Sequence, residues 1–181
     1  MTVGDALRKA GVVGGGVRGS SYAEVLENAC RRGELRGTVV AMELGEERTY
    51  AWLLEPLLEV GGLSSRWRVA RHGFGPTLDT MYEQADGVVV LQCVDGRRLE
   101  AQADPRWEGR WYDHDLVERF LAALMPELPA AKAFYAVGCG LPPEESDLEG
   151  IWTVLDPAGA SLLREVGLDV RRVDRGEAEA P

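Results

Sequence analysis

Lysine, isoleucine and histidine are almost missing from this chain. Lys9 and Lys132 are the two lysines among 181 residues, so eighteen of the twenty basic residues are arginine, and Ile151 is the one isoleucine. A GC-rich genome produces that bias as readily as selection for bidentate pairing or heat resistance does. With His72 and His114 alone, a metal site would lean on carboxylates, and a thiol nucleophile would have two imidazoles to choose from. Cysteine is sparse as well: Cys30, Cys93 and Cys139 are odd in number and far apart, which excludes a disulfide framework and predicts reduced thiols. Long apolar runs are absent. A bilayer span needs roughly 20 apolar residues, whereas the uncharged stretch 120–126 falls far short and residues 1–11 carry no apolar signal segment. A cytoplasmic protein with no membrane partner is expected.

Positive charge is in deficit too, since thirty acidic residues against twenty basic give a formal charge of −10. Nucleic-acid affinity comes largely from neutralising phosphates with Lys and Arg, so nucleic acid is a poor partner for this chain. An apolar content of 45% over 181 residues suffices for one core. The expectation is a single α+β domain over residues 1–174, followed by a frayed polar tail over 175–181.

What is present in quantity is β-forming sequence. Residues 37–51 (GTVVAMELGEERTYA) and 87–101 (GVVVLQCVDGRRLEA) match in register, each with a Val-rich run, an acidic-Gly turn, an arginine and a second run. Both read as β-hairpins. In the first, Thr38, Val40, Met42 and Leu44 share a face, Gly45 turns the chain, and Tyr50, Trp52 and Leu54 return until Pro56 ends the strand. Residues 66–71 alternate as a third strand, and 77–85 repeat at helical spacing. In the second hairpin Val88 to Leu91 are apolar on both faces, as in a central strand, while Leu99 and Ala101 alternate with Glu100 and Gln102, as in a half-solvated one.

Helices announce themselves by their caps. Thr2 with Asp5 starts a short helix over 2–10; Ser21 with Glu24 starts one over 21–32 that Gly33 ends. Residues 113–125 form the best amphipathic helix, with Leu116, Val117, Phe120, Leu121 and Leu124 inward. Strand, strand, helix, strand then follow at 133–137, 151–155, 156–166 and 168–173. The fold class is therefore α+β: a mixed, mostly antiparallel sheet built from two hairpins, helices on one side, and a C-terminal strand–helix–strand appendage where alone parallel pairing is possible. Over residues 21–125 this order of elements, with the acidity, resembles the small acidic dimeric chaperones of type III secretion. The resemblance implies a dimeric, non-catalytic binding protein.

The candidate sites are scattered. Gly14, Gly16 and Gly19 spell GxGxxG ahead of a helix start, where amides cradle phosphate, but no buried strand precedes them, so a connector is the expected reading. Cys139, between Gly138 and Gly140, is the candidate nucleophile. Asp113, His114, Asp115 and Glu118 are candidate metal ligands, although acidic residues in a first turn also serve the helix dipole. Asp86, Glu100 and Gln102 loosely echo nuclease spacing without its lysine. Arg66, Arg68 and Arg71 could meet an anionic partner or merely protect a strand edge. In 105–115 (PRWEGRWYDHD), Arg106, Trp107, Arg110, Trp111 and Tyr112 are the residue types that dominate binding hot spots. They are the candidate binding residues; the alternative is a structural lid between hairpin and helix.

These readings favour a non-catalytic protein-interaction module, an adaptor, secretion-type chaperone or inhibitor-like protein that binds another protein through a sheet face and the 105–115 loop. A homodimer with no cofactor and no metal is expected. The alternative is a small cysteine- or metal-dependent hydrolase or transferase using Cys139 or the Asp113–Glu118 cluster.

Overall fold

Short polar side chains start the helices of this protein. In the computed structural model, which describes residues 1–19, 21–42, 50–71, 87–102, 113–138 and 148–174, α1 (Val3–Lys9) begins with a reciprocal capping box between Thr2 and Asp5. The Ser21 hydroxyl accepts from the Glu24 amide at the start of α2 (Tyr22–Arg32), which ends on Gly33 at φ +64, the left-handed conformation that glycine adopts without strain. Asp113 and Asp156 cap α4 (His114–Leu124) and α5 (Pro157–Glu165) in the same way. Helix α3 (Ala51–Val60) has no side-chain cap. Among the described residues, the strands are β1 (Thr38–Met42), β2 (Trp67–Arg71), β3 (Val88–Cys93), β4 (Arg98–Gln102), β5 (Ala133–Gly138), β6 (Leu148–Leu155) and β7 (Asp169–Arg172). The chain is α+β, with two antiparallel sheets. The Gly45 turn, the helix expected at 77–85 and the tail 175–181 lie outside the described residues.

The elements cluster into two compact units, residues 1–42 with 129–172, and residues 43–128 with 173–181. In the first unit the sheet order is β1-β6-β5-β7. Strands β6 and β7 flank β5 and each pairs with it antiparallel, so no parallel ladder forms among the described residues. Leu7, Val25, Leu26, Phe134, Trp152 and Leu163 are buried in this unit. Two buried threonines add a polar ladder: the Thr38 hydroxyl donates to Thr153 Oγ1 at 2.9 Å, and Thr153 donates to the Gly37 carbonyl at 2.9 Å. On the β7 side, Arg164 donates through Nε and an Nη to the Val170 carbonyl at 2.9 and 2.6 Å, and lies over the Tyr135 ring at 5.9 Å.

In the second unit β2, β3 and β4 form a meander. The second hairpin is as expected: Val89, Val90, Leu91 and Cys93 of the central strand are buried, and β4 alternates. Gly96 turns it at φ +93, and the Asp95 carboxylate holds the Arg97 amide at 3.0 Å. Cross-strand register places Arg68, Gln92 and Arg98 in one row and Val69, Leu91 and Leu99 in another. Helix α4 packs against β4.

The first hairpin does not form. β1 pairs with β6, Thr38 opposite Thr153, and the expected return strand is helix α3. Tyr50 is 1% exposed and Trp52 66%, so the two do not share a face. Leu53, Leu54, Leu57 and Leu58, at spacings of one, three and one, are all buried. Burying each contributes about 1.5–3 kcal/mol at most, roughly 6–12 kcal/mol together, which outweighs the ~3 kcal/mol cost of a proline inside a helix. Pro56 is therefore carried within α3 instead of ending a strand.

Candidate functional site

The starts of α3 and α4 meet at one buried hydrogen bond. Tyr50 Oη accepts from the Asp113 amide at 3.0 Å, and the Asp113 carboxylate accepts from the Leu116 amide at 3.0 Å. Both residues are buried, at 1% and 6% exposure. Asp113 is thus occupied as a helix cap. The neighbouring His114 is pushed below its ordinary pKa by burial, against the opposing pull of Glu118, Asp113 and Asp115. Among the described residues no three His, Cys, Asp or Glu side chains converge as a metal ion requires; Asp113, His114, Asp115 and Glu118 are neighbours along the helix without closing around an ion.

Along the outward side of α3 lie Trp52, Glu55 and Glu59, all exposed. Trp67 and Trp152, by contrast, are 3% and 1% exposed. Sequence reading placed Trp52 on a strand and so missed this helix face, although the leucine spacing carried the signal.

The arginine row is divided among partners. Arg66 pairs with Glu127 at 2.7 Å, Arg68 donates to Gln92 Oε1 at 3.3 Å, and Arg71 follows a register shift in β2. Glu127, in a 3-10 turn over Met125–Glu127, also binds Arg97, which lies over the Trp67 ring at 5.3 Å and bonds Asp95 at 2.8 Å. The Arg97 guanidinium is the main cause that holds Glu127 below the ordinary carboxylate range, helped by the charge of Arg66. The same guanidinium holds the Asp95 carboxyl far down. Arg97 and Glu127 were invisible as a pair because 30 positions separate them. Glu100, from the nuclease-like set, is bound by Arg98.

The glycine loop is filled from within. A Cβ on Gly14 would lie 2.5 Å from Glu34 Oε2, and one on Gly19 would lie 2.7 Å from the Val25 amide nitrogen. Gly16 N–H donates to the Glu34 carboxylate at 3.3 Å, while Arg8 and Asn28 donate to the carbonyls of Val17 and Arg18. Close packing accounts for two of the glycines, and the Gly16 amide is taken up by the Glu34 carboxylate.

Arg106, Trp107, Arg110, Trp111, Tyr112, Cys139, His72 and Asp86 lie outside the described residues. Of the other cysteines, Cys30 is exposed and Cys93 buried. No helix among the described residues is long and apolar enough to cross a membrane. No family model, no curated protein and no solved structure matches this chain. The element order that resembled secretion chaperones departs from expectation at α3.

Proposed function

We propose that this chain is a non-catalytic protein-interaction module, adaptor-like, chaperone-like or inhibitor-like, that works as a cytoplasmic homodimer through a sheet face and the 105–115 loop. The observation that carries the reading is the 66% exposure of Trp52 on the first turn of α3. That turn follows Tyr50, whose hydroxyl binds Asp113, the residue at which the segment bearing Arg106, Trp107, Arg110, Trp111 and Tyr112 joins α4. Tryptophan, tyrosine and arginine carry most of the binding energy in protein interfaces. The row Arg68, Gln92 and Arg98 across β2, β3 and β4 offers a polar sheet face.

Sedimentation equilibrium of the wild type and of Trp107→Ala/Trp111→Ala tests the reading. The wild type is expected to dimerise and the variant to dimerise at least tenfold more weakly while keeping its circular dichroism spectrum. An unchanged association constant in a folded variant would refute it. Rapid, selective alkylation of Cys139 near neutral pH would instead favour the hydrolase or transferase.

A further inference from the structure

The two outer strands of the three-stranded sheet differ in kind. Along β2 and just before it the charged residues, Arg66, Arg68 and Arg71, carry one sign, and the register shifts between Val69 and Arg71. Like charges and a bulge both keep a second copy of such a strand away. β4 pairs with β3 without a shift. Its exposed face carries one charge of each sign, Arg98 and Glu100, whose side chains are 57% and 51% exposed and bound to one another. Leu99 and Ala101 alternate with them on the other face, half-buried.

The hairpin fixes which backbone groups of β4 face outward. The Cys93 amide donates to the Arg97 carbonyl at 2.8 Å. Bonding and non-bonding pairs alternate in an antiparallel ladder, so Arg97, Leu99 and Ala101 turn their N–H and C=O groups to β3, while Arg98 and Glu100 turn theirs to the outer side. Among the described residues no other group bonds those two outward amides. Such a row is a template for another strand, and a second β4 running antiparallel about a two-fold axis is restricted in register, because only even-numbered residues offer outward groups. An axis at Arg98 sets two arginines opposite each other, and an axis at Glu100 sets two glutamates opposite, both unfavourable. An axis at Ala101 places Glu100 against Gln102 and carries Arg98 past the end of the strand. An axis at Leu99 places Arg98 of each copy against Glu100 of the other, so the opposite-sign contact forms twice.

We infer that the outer edge of β4 pairs with β4 of a second copy of this chain, antiparallel about an axis at Leu99, joining the two three-stranded sheets into one. The inference rests on the homodimer of the module reading above and names the surface that makes it. At each of the two Arg98–Glu100 sites the backbones exchange a pair of N–H···O bonds. Each guanidinium then has two carboxylate neighbours, one on its own strand and one directly across, and Leu99 meets its own counterpart between the two sites.

Sedimentation equilibrium of Arg98→Glu and of Glu100→Arg reads the charge pairing. Each reversal sets like charges opposite at both sites and is expected to weaken self-association at least about fivefold. Mixed in equal amounts, the two variants regain both opposite-sign contacts across the axis and are expected to associate at least as tightly as the wild type. The pairing within each strand stays broken in both, so a role confined to one copy gives no recovery. A second probe tests the register. Leu99→Cys puts two thiols on a non-bonding pair whose Cα atoms stand about 4.5 Å apart, within disulfide reach. Ala101 lies opposite Arg97 of the other copy, four residues from its own counterpart, roughly 13 Å away. Mild oxidation with diamide is expected to give a covalent dimer from Leu99→Cys and none from Ala101→Cys beyond the wild-type background. No cross-link at Leu99→Cys above that background, equal cross-linking of the two variants, or no recovery on mixing would each overturn the inference. A dimer that survives both reversals but is lost in Trp107→Ala/Trp111→Ala leaves the module reading standing without it; a dimer split by the reversals and untouched by the tryptophan changes does the opposite.

Discussion

Replacing Tyr50 by phenylalanine removes one oxygen and leaves the ring in place. That oxygen accepts the Asp113 amide at 3.0 Å, and Asp113 is 6% exposed, so water has little access to the stranded N–H. A buried donor left without its partner costs about 1–3 kcal/mol, to be set against a total stability of about 5–15 kcal/mol for a typical protein. Asp113→Ala acts on another group: it strips the cap from the Leu116 amide, at about 0.5–2 kcal/mol. The two losses fall on different N–H groups, so the double variant is expected to approach their sum. Urea unfolding at pH 7, followed by far-ultraviolet circular dichroism, reads all three values at an unchanged m-value. A Tyr50→Phe effect below about 0.5 kcal/mol, the level of an ordinary surface substitution, would refute the argument, because the hydroxyl could not then be a required partner of a buried amide.

Three further outcomes are expected. Thr153→Val leaves the buried Thr38 hydroxyl without its acceptor and is expected to cost about 1–3 kcal/mol, part of which a second substitution, Thr38→Val, restores; a simple sum in a denaturation cycle contradicts this. Gly19→Ala forces a Cβ against the Val25 backbone, whereas Gly14→Ala meets a Glu34 side chain that can swing, so Gly19→Ala is expected to lose more, about 1–3 kcal/mol, in the same unfolding assay. Stability is expected to fall as the medium is acidified. His114 is lowered from 6.5, so its share declines as pH drops below about 6.5. Asp5, lowered to about 2, together with Glu127 and Asp95, removes stability on further acidification from about pH 4.5 to 2. His114→Gln is expected to flatten the upper limb alone, and melting temperature against pH checks both limbs.

The parts of the fold that were legible are those whose causes are local. Ser21 with Glu24, Asp113 ahead of an apolar stripe, and the 88–102 hairpin each announce their structure within a dozen residues. The likeness of 37–51 to 87–101 misled because a strand and the first turn of a helix look alike over five residues, and Pro56 looked like a stop. Burial decided otherwise, through leucines further along. The partner of β1 lies over a hundred positions away, where no local pattern reaches. The same holds for Glu127 with Arg66 and Arg97. Of the candidate surface, hot-spot composition was visible at 105–115, but Trp52 could be recognised as an outward residue only once its helix was known.

Strand β1 leaves the ribosome long before its neighbour exists. Thr38 and Thr153 are 115 positions apart, and at about 5–20 residues per second of synthesis the wait is roughly 6–23 s. During that interval α3, the β3–β4 hairpin and α4 all emerge and have time to fold, since hairpins and helices form in microseconds. Meanwhile a valine-rich strand is held with its backbone donors and acceptors open, a template for mispairing with another chain. Slower elongation through the middle of the message lengthens that exposure, and faster elongation shortens it.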